Sequence, residues 1–402
     1  MLTLIEGGRV YDPDPRGVQS VLLADGHVSK VGDVNRSALE RLGTEYQIIN
    51  ARGCIVAPGL IDPHNHLLGG SGETGFSTQT PEFFISEIVR FGITTVVGTL
   101  GVDTTMKTMA GLLAKVKALR EQKLNAYCWT GGYDVPPNSI LASVREDIMF
   151  IDEVIGAGEV AISDERALAP DPRELARTVT HAHIGGMLAR KAGLMHVHVG
   201  DRDRRLAPIR EVLENFDVEP DWFYLTHVER TEKLIREAAA LAQKGMPCDV
   251  DVVERELYRY LRWWKSHGGP PELLTCSSDA SMTSPRNVWE QMRDCVREHG
   301  HPLEEILPLA TRNTARILKL KKKGELRRGC VGDVLLIDEA TLDIVHVLSR
   351  GTWMVRDGEV VEQENWLRDS DREIRLHGTK DEEDESEPGG SSEEEAYQNE
   401  ES

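Results

Sequence analysis

Clustered positive charge is scarce in this sequence. The only short basic runs are Lys319-to-Lys323 (KLKKK) and the pair Arg327–Arg328, set against a formal net charge of −20. Phosphate binding needs grouped Lys and Arg, so the composition argues against a nucleic-acid partner. Both runs flank a predicted helix end and read as solvated surface. The chain also lacks a CxxC pair: its six cysteines stand at 54, 128, 248, 276, 295 and 330, four of them inside apolar runs. Such cysteines pack as small hydrophobes, which points to a reducing, cytoplasmic setting without structural disulfides. No run approaches the roughly 18 apolar residues of a membrane span, and no charged-then-apolar leader opens the chain. Finally, residues 381–402 hold eleven acids and no Lys or Arg, more than half of the net charge. With few apolar residues, the segment from 363 to 402 is expected to be an acidic tail that does not order itself.

The ends of the chain differ from its middle. Residues 1–55 alternate apolar and polar positions between DG and GG turns, and residues 322–362 return to that style, so a small β-sandwich built from both termini is expected. Between them, from 56 to 321, eight short apolar runs alternate with amphipathic helical stretches: CIVAPGLID, TTVVGTLG, LNAYCWTGG, EVAISDE, LMHVHVG, FYLTHVE, PCDVDV and LLTCSSDA. Buried strands alternating with helices predict a parallel sheet covered on both faces. Eight such units predict a (β/α)₈ TIM-like barrel, with a doubly wound sheet as the alternative.

In a barrel, chemistry sits where the strands end. His64 and His66 close the first run, Glu159 lies in the fourth, His196 and His198 in the fifth, His227 in the sixth and Asp279 in the eighth. Residues i and i+2 of a strand share a face, so His64 and His66 point together, and so do His196 and His198. Either of the latter could serve; His198 lies nearer the strand end. Imidazoles and carboxylates gathered in this way are the donor set of zinc-like ions. His181 and His183 fall in a helical pattern and read as packing or surface, and Trp129 reads as packing. The WW pair in YLRWWKSHGG is expected to cover a barrel face or a subunit contact.

The stretches GLIDPHNHLLGGSGETG, FGITTVVGTLG, WTGGYDVP, AISDERA, HVGD, THVER, SSDA and KGELRRGCVGDVLLID together resemble the amidohydrolase superfamily, and within it the isoaspartyl (β-aspartyl) dipeptidases, over roughly residues 1–360. The resemblance implies a hydrolase of β-aspartyl dipeptides that uses two Zn²⁺ ions sharing a hydroxide and assembles as a homo-oligomer. It implies His64 and His66 as ligands of one ion, His198 and His227 of the other, and Asp279 as a ligand that also handles the proton. It further implies Tyr133 at the scissile carbonyl, Glu73 at the substrate α-amino group, Arg166 and Arg230 at carboxylates, and Thr283 where a serine usually meets the α-carboxylate. The family usually bridges its metals with a carboxylated lysine, whereas this sequence has Glu159 there. A glutamate carries its carboxylate without carbon dioxide but reaches less far, so the strand must come closer. Other amidohydrolases, acting on N-acyl amino acids or cyclic amides, and a non-catalytic scaffold on the same fold are the alternatives. The set Glu73, Arg166, Arg230 and Thr283 favours a zwitterion with an additional carboxylate.

Overall fold

A computed structural model describes residues 2–374. Eight parallel strands follow one another around a sheet in chain order: β1 (Leu60–Asn65), β2 (Ile93–Gly98), β3 (Asn125–Thr130), β4 (Val154–Ile162), β5 (Met195–Val199), β6 (Phe223–Thr226), β7 (Cys248–Asp251) and β8 (Leu274–Ser277). The ring closes between the last and the first: Asn65 bridges Ala280, His66 N donates to Ala280 O at 2.9 Å, and Asp279 N donates to His64 O at 3.1 Å. The closed barrel, not the doubly wound sheet, is therefore what the alternating pattern encodes. Every strand but β3 is fully buried, because the inward residues fill the barrel and the outward ones meet a helical layer.

The helices carry the expected local signals. The longest, Pro172–Ala189, starts with proline in its first turn and a capping box in which Asp171 and Glu174 satisfy each other's backbone N–H. Thr108 and Thr231 cap Met109–Glu121 and Glu232–Ala242 in the same sense. His183 leaves the site reading as expected, stacked on Trp222 with ring centroids 3.8 Å apart. Trp264, on helix Leu257–Ser266, packs into the barrel's outer core.

The two ends of the chain meet in one nine-stranded mixed sheet. Strand Cys54–Pro58 pairs antiparallel with Val334–Asp338 and parallel with Leu2–Tyr11, so N- and C-terminal segments interlock. Its core includes Ile5, Val10, Val21, Val56, Leu336 and Leu348. At the base of the barrel the basic run departs from its reading as solvated surface. Lys323 is buried, and its Nζ lies 2.8 Å from Asp333 Oδ2. Asp333 also accepts from Asn125 Nδ2 at 3.1 Å and from Arg350 N at 2.9 Å. All six cysteines are free, five of them buried. Among the described residues no helix is long and apolar enough to cross a membrane. The chain runs on through Glu364, whose Oε1 accepts from Ser86 N and Oγ at 3.1 and 3.0 Å. The acidic tail expected from 363 lies, from residue 375 onward, outside the described residues.

Candidate metal centre

The strand ends bring the predicted ligands to one point. His64 Nε2 lies 3.2 Å from Asp279 Oδ1 and 3.4 Å from Glu159 Oε1, and His66 Nε2 lies 3.1 and 3.5 Å from the same two atoms. The other carboxylate oxygen, Glu159 Oε2, faces His198 Nδ1 at 3.1 Å and His227 Nε2 at 3.7 Å. One buried glutamate thus turns one oxygen to each histidine pair. Three sets of donors lie within 4.8 Å of one another: His64–His66–Asp279, His64–Glu159–His227 and His227–Asp251–Asp279.

Backbone geometry explains how a glutamate reaches so far in. In the β4–β5 pairing, Met195 opposes Ala157 but Val197 opposes Val160, so β4 carries an extra residue at Gly158–Glu159. Such a bulge re-aims a side chain. Gly158 has φ +139°, and a Cβ there would stand 2.5 Å from His196 O, so only glycine lets β4 approach β5 this closely. At the ends of β6 and β8, His227 and Asp279 adopt left-handed backbone with φ +63° and +44°. Each such residue costs on the order of 1–2 kcal/mol, a cost that recurs where side chains must be thrown back toward a site.

Two atoms test whether an ion fits. His64 Nε2 and Glu159 Oε1 are buried and have no hydrogen-bond partner. A buried ring nitrogen and a buried carboxylate oxygen, both left without hydrogen-bond partners, cost several kcal/mol unless a cation lies between them. The donor chemistry and the orphaned atoms fit one or two metal ions. Burial pushes the Glu159 carboxyl up, but His64, His198 and His227 outweigh it and hold it well below the usual range. Asp279 is likewise held low, its burial outweighed by the adjoining His64 and His66 rings and by the charge of His227.

Two supports escaped the sequence reading. His227 Nδ1 lies 2.7 Å from Asp251 Oδ2, and His198 Nε2 lies 3.0 Å from Asp164 Oδ2, so a carboxylate backs each of these rings. Burial lowers the proton affinity of His227, but Asp251 and Glu159 raise it further, to about 9. Asp251 ends β7, the one late strand end to which no role had been given; an acid at that point was the available signal. His196, the alternative on β5, points instead at the back of His64, its Nε2 2.8 Å from His64 Nδ1.

Above the ligands lies a cavity of about 370 Å³ lined by His66, Glu73, Tyr133, Arg166, His198, Arg230 and Asp279, with Ser281 and Met282 on its rim. Tyr133 Oη is 3.0 Å from His198 Nδ1; burial, then the charge of Glu159, pushes the phenol well above its ordinary value, so it keeps its proton. Arg166 is held by Asp164 through Nε and Nη2 at 2.8 and 2.9 Å and reaches Glu73 with Nη1 at 2.7 Å. Thr283 is not among the lining residues, although Ser281 and Met282 are; its Oγ1 is buried without a hydrogen-bond partner. Trp129 is fully buried and donates to Pro63 O at 3.1 Å, a packing role.

The solved β-aspartyl dipeptidase of Fervidobacterium islandicum AW-1 is 36% identical, superimposes with a TM-score of 0.85, and covers 90% of this chain and 98% of its own. The same enzyme solved in complex with the β-Asp-Leu dipeptide gives 34%, 0.84, and the same coverage. The adenine deaminase of Halalkalibacterium halodurans is 22% identical over 357 residues, 85% of this chain and 54% of that protein, so this chain spans about half the length of such curated relatives. The amidohydrolase pattern itself runs through residues 55–361, from strand Cys54–Pro58 of the mixed sheet through the whole barrel and back into that sheet. With the donors at the strand ends and that match over most of its length, the chain belongs to the amidohydrolase family.

Proposed function

We propose that this protein is a metal-dependent hydrolase of β-aspartyl dipeptides. One observation carries the reading: the buried Glu159 turns one oxygen toward His64 and His66 and the other toward His198 and His227. That arrangement supports a bridging carboxylate that needs no modified lysine. The likeness to an enzyme solved with β-Asp-Leu supports the substrate. His64, His66, Glu159, His198, His227 and Asp279 would hold the ions, and zinc suits their nitrogen and oxygen donors. Bound there, the ions supply Lewis acidity that activates water and the amide carbonyl at neutral pH.

The chain's own residues do the rest. Asp279, ionised and beside the ligands, takes the proton of the attacking water and passes it to the leaving amine nitrogen. Tyr133 keeps its phenolic proton and donates a hydrogen bond to the carbonyl oxygen as charge develops on it. Glu73 receives the substrate ammonium, while Arg166 and Arg230 receive its carboxylates, with Thr283 near the α-carboxylate. Without substrate, Glu73 and Arg166 pair with each other, which keeps the recognition charges matched until a zwitterion replaces them. The test is leucine release from β-Asp-Leu and from α-Asp-Leu by zinc-loaded protein. Selective cleavage of the β-linked peptide is expected; none, by protein shown to hold its metal, would overturn the assignment.

A further inference from the structure

His196 carries no role in the reaction just described, yet it is fully buried against a metal-facing ring. Its Nε2 lies 2.8 Å from His64 Nδ1, and its Nδ1 lies 3.2 Å from the Tyr224 carbonyl oxygen. The ring is clasped between Trp129 and Tyr224, with centroids 4.8 and 4.9 Å away and planes tilted by 18° and 30°. Trp129 is in turn tied to β1 through Pro63 O. We propose that His196 is a positioning residue that fixes the tautomer of His64 and so keeps the Nε2 lone pair of His64 aimed at the metal.

The argument needs only donor and acceptor chemistry. A carbonyl oxygen never donates, so the hydrogen bond to Tyr224 O requires a proton on His196 Nδ1. A neutral imidazole protonated there has only a lone pair at Nε2. His64 Nδ1 must then be the donor in the contact between the two rings. A neutral His64 with its proton on Nδ1 presents a bare Nε2, the atom that faces Glu159 and Asp279. Were His196 to carry both protons, His64 Nδ1 would have to accept, and its own proton would sit on Nε2 and block the ion. His198 and His227 need no such relay, since Asp164 and Asp251 are acceptors outright. The backing of His64 is the one of these three whose direction depends on a third group.

This inference rests on His64 being a metal ligand, and the experiment separates the two claims. Zinc affinity of the full-length protein is measured by competition with a chromogenic chelator for wild type, H196Q and H196L, alongside the thermal midpoint of each metal-free protein. H196L, which cannot accept from His64, is expected to bind zinc about tenfold or more weakly. H196Q, whose side-chain oxygen can accept, is expected to stay close to wild type. Equal weakening of both variants, or an H196L protein that binds zinc as wild type does, would overturn the proposal. Wild-type protein that takes up no zinc would sink the metal reading instead. In every case, including an H196L chain that does not fold, ring-nitrogen NMR of ¹⁵N-histidine-labelled wild type decides the tautomer. With His64 assigned by its absence in H64N protein, a proton on Nδ1 supports the relay and a proton on Nε2 refutes it.

Discussion

The base and the mouth of the barrel both bury charge, and they treat it differently. At the base, Lys323 and Asp333 lie 2.8 Å apart, and Asp333 is further satisfied by Asn125 and by the Arg350 backbone. Both charges of that pair are satisfied, and the network joins barrel to sheet. At the mouth, Glu159 and His64 are buried at least as deeply, yet Oε1 and Nε2 go without hydrogen bonds. A satisfied buried pair holds structure together; an unsatisfied one of this chemistry is kept for an ion. The two regions should therefore respond to substitution in opposite currencies, stability below and activity above.

The largest effect is expected at the mouth. Glu159→Gln keeps the shape and removes the bridging charge, and should lower kcat/KM by more than about 100-fold, the upper loss for residues that merely support a ligand. The metal-free E159Q protein should unfold at or above the wild-type denaturant midpoint; a large fall in that midpoint would break the contrast with the base. Lys323→Met should do the reverse. Leaving Asp333 buried without its partner is expected to cost about 3–5 kcal/mol in chemical denaturation, with kcat of the folded fraction unchanged. A K323M protein as stable as wild type would show that the base pair does not tie barrel to sheet.

Smaller effects sharpen the picture of the ligands. Asp251→Asn removes the charge behind His227 and should weaken zinc binding about 10–100-fold, read by chelator competition, with little change in fold. The raised proton affinity of His227, at about 9 without metal, sets a pH dependence. Below that value the ion must displace a proton, so zinc affinity should climb by about tenfold per unit toward pH 9 and then level off. Stability of the metal-free protein has the opposite slope. Its contribution from protonated His227 is fully present below the imidazole's unfolded value of about 6.5 and is lost as pH rises through about 9. A flat zinc affinity between pH 7 and 9 would show that His227 holds no such proton.

Much of this is legible in the chain alone. His64, His66, His198, His227 and Asp279 each stand at or near the end of an apolar run and Glu159 opens the fourth, and strand periodicity says which of them share a face. The eight-unit alternation gave the barrel, and the return of turn-punctuated strands after residue 322 anticipated a sheet made from both termini. The supports were harder to see. Asp164 and Asp251 back histidines that are 34 and 24 residues away in sequence, and nothing in one strand's pattern names its neighbour's ring. Lys323 looked like part of a solvated run because charge density in sequence does not report burial.

What the sequence determined by itself is the inventory and its order: which donors exist, on which strand ends, and on which face. That follows because strand and helix periods are local properties of the chain. What only the tertiary structure decided is the division of labour between equivalent residues. His196 and His198 share a strand and a parity, yet one stands behind His64 and the other beside Glu159. The bulge at Gly158–Glu159 and the stacking against Trp129 and Tyr224 lie between them, and both are contacts across strands that no single segment encodes.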